Sequence, residues 1–280
     1  MAWTRRNVLT ATGAAAAVIV LGPVREPVQA HPRAGAAAWN HDPASPIGPG
    51  RWDDLGYPVC GRARGQSPVD IRTGRVVARR GAPLQLRYET SEMLVANTGH
   101  AVSVSIPARV HDKLRIGDDV YELSEFHFHA PSEHTFDGRT ADVEAHFVHT
   151  GAGGESAAVG VLYRRGHHPN PVLDQILRSA STTSGKVTDA GPANPADLLR
   201  HLRLGSYYAY TGSLTTPGCA GGLRWSVLAD GGEVSPAAVA RMHQLIARFP
   251  DYGGYPDNNR PVQPRNGRTI THILPEVPTT

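Results

Sequence analysis

The sequence predicts one β-dominated domain. Three observations point there. Short segments of alternating apolar and polar residues recur between turn residues, helical periodicity is confined to two places, and no linker, repeat or charge block divides the chain. The 280 residues could hold two domains or one large β-rich one, and suffice for a sizeable core. With 40% hydrophobic and 19% charged residues, 30 Gly and 23 Pro, a coiled coil, a collagen and a fully disordered chain are excluded.

In chain order, residues 1–30 predict an export signal. Thr4-Arg5-Arg6-Asn7 leads into an uncharged run from Thr10 to Gly22, and Val28-Gln29-Ala30 offers small residues for cleavage. The Arg pair ahead of a modestly hydrophobic stretch resembles a twin-arginine signal, predicting an exported, periplasmic or extracellular protein. The body is then 31–280. No other stretch approaches the roughly 18 apolar residues of a membrane helix, so the mature chain is expected to lack a membrane span. His31–Gly50, rich in Pro, Gly and Ala, reads as an extended arm over the surface. Residues 84–88, 102–106 and 157–163 alternate as strands do. Asn170-Pro171 opens a helix bearing Val172, Leu173, Ile176 and Leu177. Ser235-Pro236 caps another with Val239, Met242, Leu245, Ile246 and Phe249 on one face.

Charge and cysteine content bound the partners. The first thirty residues hold Arg5, Arg6, Arg25 and Glu26, so the remainder carries 25 basic and 24 acidic residues. Net charge therefore makes no case for nucleic acid or a membrane surface. Cys60 and Cys219 are an even pair in an exported chain, which suggests a disulfide. Neither has a neighbouring Cys at metal-ligand spacing, and no C-x-x-C pair supports redox catalysis.

The chemistry collects around histidine. Glu125-Phe126-His127-Phe128-His129 alternates, so a strand points both imidazoles to one face and both phenyl rings to the other. Seventeen residues on from His129 comes His146, in Glu144-Ala145-His146-Phe147-Val148-His149. Antiparallel pairing of the two strands brings His146 to the first two, giving three His ligands, as catalytic zinc sites use. Three neutral imidazoles suit zinc, although cobalt or iron could occupy the same set. Glu125 and Glu144 each lie two residues from a ligand on its own strand face and are the natural acceptors for its second nitrogen. The bland alternative is a pair of strands with incidental imidazoles.

At this point the sequence resembles an α-class carbonic anhydrase, of the bacterial exported type, along nearly its whole mature length. The resemblance is carried by Gly65-Gln66-Ser67-Pro68-Val69-Asp70-Ile71, Asn97-Thr98-Gly99-His100, Phe126 to His129, Ser132-Glu133-His134, Glu144-Ala145-His146, Gly212-Ser213-Leu214-Thr215-Thr216-Pro217 and Arg260-Pro261-Val262-Gln263-Pro264, in the family's order. It implies a large, twisted, mostly antiparallel sheet with short peripheral helices and a Zn2+ site in a cone-shaped cleft. It implies that His127, His129 and His146 bind the zinc, and that zinc-bound hydroxide converts carbon dioxide to bicarbonate and a proton. Thr215 would accept a hydrogen bond from that hydroxide and donate one to Glu133, and His100 would export the proton. Val148, Leu214, Thr216, Leu223 and Trp225 would form the substrate site, with His134 and Tyr210 as a supporting pair. The resemblance also places the family's bacterial disulfide at Cys60 and Cys219.

Several positions depart from the family pattern. His41, in Trp39-Asn40-His41, stands where a tyrosine is usual. Thr98 and Ser103 stand where asparagines often line the proton path, Ala158 where valine is usual, and Glu125 where glutamine usually supports the first ligand. Two other classes compete. In a cupin-like metal oxygenase, His127-x-His129-x3-Glu133 would make Glu133 a ligand, but the later P-x-G-x2-H segment is absent. A non-catalytic binding protein on the same fold would typically have lost ligand histidines, and all three are present.

Overall fold

The computed structural model describes residues 37–276; the signal predicted for residues 1–30 lies outside them. The described chain forms fifteen strands and three α-helices. The strands are β1 (Asp70–Ile71), β2 (Val77–Gly81), β3 (Gln85–Arg87), β4 (Ser91–Asn97), β5 (Val102–Ser105), β6 (Lys113–Ile116), β7 (Asp119–His129) and β8 (Thr135–Phe136). They continue with β9 (Val143–Gly151), β10 (Ser156–Arg165), β11 (Val187–Ala193), β12 (Tyr207–Ser213), β13 (Gly221–Leu228), β14 (Gly232–Val234) and β15 (Thr271–Pro275). The helices are α1 (Val59–Arg62), α2 (Pro171–Ser179) and α3 (Pro236–Ile246).

Thirteen strands make one sheet in the order β11-β4-β5-β7-β9-β10-β13-β12-β15-β2, with β3, β6 and β14 off that path. Pairing is mostly antiparallel; β10 runs parallel to β13 and β14, and β15 to β2. Strands β7, β9 and β10 lie in the middle and are buried on both faces over most of their length. One face of them carries Phe126, Phe128 and Phe147, and the other carries His127, His129 and His146.

One face of these strands packs on the helices. Phe126, Phe128 and Phe147 join the buried aliphatic residues of α2 and α3 in the main core. Both helices begin at the predicted caps. The Asn170 side chain accepts from the Leu173 N–H at 3.2 Å and Ser235 from Ala238 at 3.0 Å, each followed by a proline at the first helical position. A second core on the opposite face gathers Val69, Ile71, Ala158, Tyr208, Tyr210, Leu223 and Trp225. Trp39, Trp52, Cys60 and Cys219 form a third, small cluster around the disulfide.

Of the surface arm predicted for His31–Gly50, residues 31–36 lie outside the described residues, Ala37, Ala38, Pro43, Ala44, Pro46 and Gly50 are exposed, and the structure corrects the reading at positions 39–41. Trp39, Asn40 and His41 are buried. Trp39 is too large and apolar to leave on a surface, and it finds Trp52 and His100 as ring partners.

Candidate metal centre and active-site cleft

A single extra residue in β7 decides where its histidines point. Tyr121 and Leu123 face the main core. Between Leu123 and Glu125 the register to β9 shifts by one, a β-bulge at Ser124. Beyond it the phase is reversed, so Phe126 and Phe128 face the core while Glu125, His127 and His129 face the cleft. On β9, Val143, Ala145 and Phe147 take the core side. Glu144, His146 and Val148 take the cleft side, and His127 lies directly opposite His146.

His127, His129 and His146 converge, with one ring nitrogen of each within 4.8 Å of the others, and all three are buried. The opposite nitrogens are occupied. His127 Nδ1–H donates to Glu125 Oε1 at 2.9 Å, His129 Nδ1–H to the Asn258 carbonyl at 2.8 Å, and His146 Nε2–H to Glu144 Oε1 at 2.9 Å. His129 Nε2 is buried without any partner. Burial, with His146 and His127 close by, holds the His129 pKa well below its ordinary value. Burial brings His146 down to about 4 against the pull of Glu144. The hydrogen bonds fix the tautomer and orientation of each ring, and burial keeps His129 and His146 neutral, with one nitrogen of each of the three aimed at a common point, as a ligand set for zinc requires. A second convergent group, His134, Glu144 and His146, is a hydrogen-bonded cluster whose atoms are already engaged with one another.

Three buried carboxylates surround the histidines, each satisfied differently. Glu125 accepts from the Ser103 hydroxyl at 2.6 Å as well as from His127. Ser103 therefore serves Glu125 rather than lining a proton path, and Thr98 is spent on its own turn, accepting from Ala101 N–H at 2.9 Å. Glu144 accepts from His146, from His134 Nδ1–H at 2.7 Å and from the backbone N–H groups of Glu133 and His134. Burial opposes its charge, but His134 and His146 hold its pKa well below the usual carboxylate range. Burial pushes Glu133 well above that range; a hydrogen bond from Thr215 and the Arg260 backbone N–H at 2.8 Å act against burial. The predicted His134–Tyr210 pair is present at 2.7 Å, and Tyr210 in turn meets Ser67 Oγ at 2.8 Å.

The predicted apolar wall spans three adjacent strands. Val148 on β9 is opposite Ala158 on β10, which is opposite Trp225 on β13. Leu223 shares a core cluster with Trp225, and Leu214 packs against it. Thr215 and Thr216 are buried in the turn after β12, where the Thr216 carbonyl accepts from Cys219 N–H at 2.9 Å. Cys60 and Cys219 form a disulfide that ties this turn to α1.

His100 is half-buried and stacks on Trp39, with ring centroids 3.6 Å apart and planes 10° apart. Burial lowers its pKa to about 4. His41 is fully buried, bonds Tyr252 Oη through Nδ1 and lies edge-on to His129 at 6.5 Å between centroids. Burial depresses its pKa well below the ordinary value.

Asn258 escaped the sequence reasoning, and Arg260 entered it only as the first residue of a segment carrying the resemblance, with no role. Asn258 supplies the acceptor for His129 while its side chain bonds the His100 and Phe128 carbonyls and the Ala130 N–H. Arg260 is buried with Gln66 Oε1 and the Ser67 and Cys60 carbonyls, all at 2.8 Å. Neither belongs to an alternating segment, and the only sequence signal for Asn258 was a polar cluster ahead of Pro261. The cupin-like reading would make Glu133 a ligand, but neither convergent group among the described residues includes it.

The model of the eukaryotic-type carbonic anhydrase family matches residues 47–273. Alpha carbonic anhydrase 4 of Arabidopsis thaliana is 32% identical over 232 residues, covering 82% of this chain and 84% of its own. The carbonic anhydrase of Neisseria gonorrhoeae is 33% identical over 225 residues, covering 79% and 83%. The structure of the Thermovibrio ammonificans α-carbonic anhydrase with the inhibitor sulfanilamide matches at a TM-score of 0.75 and 34% identity, covering 84% of this chain and 99% of that one.

Proposed function

From the premise that this chain belongs to the eukaryotic-type (alpha) carbonic anhydrase family, we propose that it catalyses the zinc-dependent reversible hydration of carbon dioxide to bicarbonate and a proton. The observation that carries this reading is the set of three buried imidazoles, each with one nitrogen held by an acceptor and the other free at a shared point. Zinc held there by His127, His129 and His146 would supply a water acidic enough to attack carbon dioxide at neutral pH.

The remaining work belongs to the chain's own groups. Glu125, Asn258 and Glu144 hold the three rings in one tautomer and orientation. Glu133 accepts from the Thr215 hydroxyl, which leaves Thr215 only its lone pairs to offer the nucleophile. That one-way polarity fixes the nucleophile's remaining proton and aims its lone pair, a positioning effect. Val148, Leu214, Leu223 and Trp225, with the backbone of Thr216, form an apolar wall that accepts carbon dioxide and excludes water. His100 carries the proton outward. Stacked on Trp39 its ring is neutral at pH 7, so export includes a swing of the ring off the indole towards solvent, where its pKa returns to the range of a buffer.

The Cys60–Cys219 disulfide supports an oxidising compartment, in line with an export signal of twin-arginine type. Among the described residues no helix is long and apolar enough to cross a membrane. The test is stopped-flow carbon dioxide hydration with and without a zinc chelator, paired with metal analysis of His146→Ala. The wild type should hold about one zinc per chain and lose activity with it, and the variant should hold little. Full zinc in the variant, or hydration that survives its removal, would reject the proposal.

A further inference from the structure

Two segments that carry the resemblance, Gly65–Ile71 and Arg260–Pro264, have no part in the chemistry proposed above, yet they meet in the structure. Their meeting point is a buried pair of side chains. Arg260 Nη1–H donates to Gln66 Oε1 and to the Ser67 carbonyl, and Nη2–H donates to the Cys60 carbonyl, all at 2.8 Å. Gln66 Nε2–H donates to the Cys219 carbonyl at 3.1 Å. Guanidinium and carboxamide together thus span the backbone carbonyls of both bridged cysteines. The guanidinium carbon also lies over the Trp52 ring, 5.3 Å from its centroid.

The other end of this pair reaches the cleft. The Arg260 backbone N–H donates to Glu133 Oε1 at 2.8 Å, and the Thr215 hydroxyl bonds the same carboxylate. Gln66 and Arg260 are 4% and 1% exposed, so bulk water cannot take over their hydrogen bonds. Burial lowers the Arg260 pKa to about 10, which leaves it a cation at neutral pH, and Glu133 is the acidic group that acts on it. An apolar pair would fill the same space without the cost of burying a charge. What the polar pair adds is direction. A guanidinium is a rigid planar fork, and here two of its nitrogens are spent on three acceptors, so the residue and its main-chain amide have one place to sit.

We infer that Gln66 and Arg260 act together as positioning residues that hold Glu133, and through it Thr215, in a fixed place relative to the disulfide, a role that rests on the Thr215–Glu133 relay proposed above. The pair ties the carbonyls of Cys60, Ser67 and Cys219 to the carboxylate of Glu133, groups far apart in the chain. Misplacement of such a group by about 1 Å costs on the order of 100-fold in rate.

The test uses the full, zinc-loaded protein and two variants, Gln66→Met and Arg260→Lys. Gln66→Met, the milder, removes the bond to the Cys219 carbonyl and one acceptor of Arg260 with little change in side-chain length. It should lower kcat about tenfold or more, leave KM and zinc content unchanged, and speed hydrogen exchange at the Arg260 amide about tenfold. Arg260→Lys keeps the charge without the fork and should show the same pattern. In a Thr215→Ala background either substitution should cost little further rate, because the relay it holds is already gone. Unchanged kcat with only a lowered Tm, or exchange at the Arg260 amide that stays at the wild-type rate, would reduce the pair to packing and overturn the inference. An equal loss of rate in the Thr215→Ala background would place the effect outside the relay and overturn it too. Wild-type kcat in Thr215→Ala itself would refute the relay, and the positioning role would fall with it for that separate cause.

Discussion

Replacing both cysteines, Cys60→Ser with Cys219→Ser, tests how far the cleft depends on a covalent tether. The bridge closes a loop of 159 residues in sequence separation. The chain-entropy relation gives about 5 kcal/mol at 25 °C for a loop of that size, an upper value because engineered and native bridges usually deliver about 2–5. For a domain of this size each kcal/mol moves Tm by about 2–4 °C, so a fall of about 10–20 °C corresponds to the upper value. The local consequence is separable from the global one. Cys219 is buried against Trp39, Trp52 and Cys60; its carbonyl accepts from Gln66 at 3.1 Å and its N–H holds the Thr216 carbonyl. Loss of the bridge should therefore loosen the turn that carries Thr215 and lower kcat even where the protein remains folded. The assay is guanidinium unfolding followed by tryptophan fluorescence, for the wild type with and without dithiothreitol and for the variant. Reduced wild type and variant should coincide, well below the oxidised protein. Unfolding free energies of the oxidised and reduced proteins that agree to within about 1 kcal/mol, or two reactive thiols in the denatured but unreduced protein, would refute the reasoning.

Thr215→Ala should cost about 10²-fold or more in kcat while leaving zinc content near that of the wild type, because it removes orientation and no ligand; parallel loss of metal and rate would show a structural role. Glu125→Gln should speed zinc loss to a chelator modestly and lower the midpoint of the hydration pH–rate profile by about one pKa unit or less, since a neutral partner makes His127 a weaker donor; an unchanged or raised midpoint would rule this out. Fully buried His149, bonded to Tyr88 Oη at 2.6 Å, is held by burial at about 3. An unfolded chain takes up that proton near pH 6.5, so the stability His149 contributes is present above 6.5 and is lost as pH falls towards 3. Urea unfolding should show the wild type losing about 2 kcal/mol more than His149→Phe between pH 7 and 5, and equal losses would exclude His149 as the cause.

The parts of the site that repeat with period two were legible in the sequence. His127, His129 and His146 could be put on one face because alternation fixes facing in a strand, and the helix caps at Asn170 and Ser235 were readable because capping is local. What was illegible depends on residues far apart in the chain. Ser103 reaches Glu125 only because β5 and β7 pair in that register. Asn258 reaches His129 across 129 positions from a segment without secondary structure. The Trp39–His41 segment was misjudged because its flanking Pro, Gly and Ala residues dominate the local composition, whereas the buried rings depend on Trp52, His100 and Tyr252. The parallel pairings of β10 and β15 follow from long connections that no local pattern encodes.

The bulge at Ser124 acts as a clutch between two halves of β7. Ahead of it, β7 is aligned by β6, with Ile116 opposite Asp119 and Lys113 opposite Glu122, and by the end of β9, with Tyr121 opposite Gly151. Behind it, alignment is fixed by β9, through Phe126 opposite Phe147 and His127 opposite His146. The one-residue offset lets the two halves keep separate phases, with Leu123 on the core side before it and His127 on the cleft side after it. The β6–β7 hairpin, turning at Gly117 and Asp118, can therefore change length or wander in sequence while the imidazoles keep their aim. Variation at that end of the molecule is set apart from the metal centre by one residue that β9 leaves without an opposite.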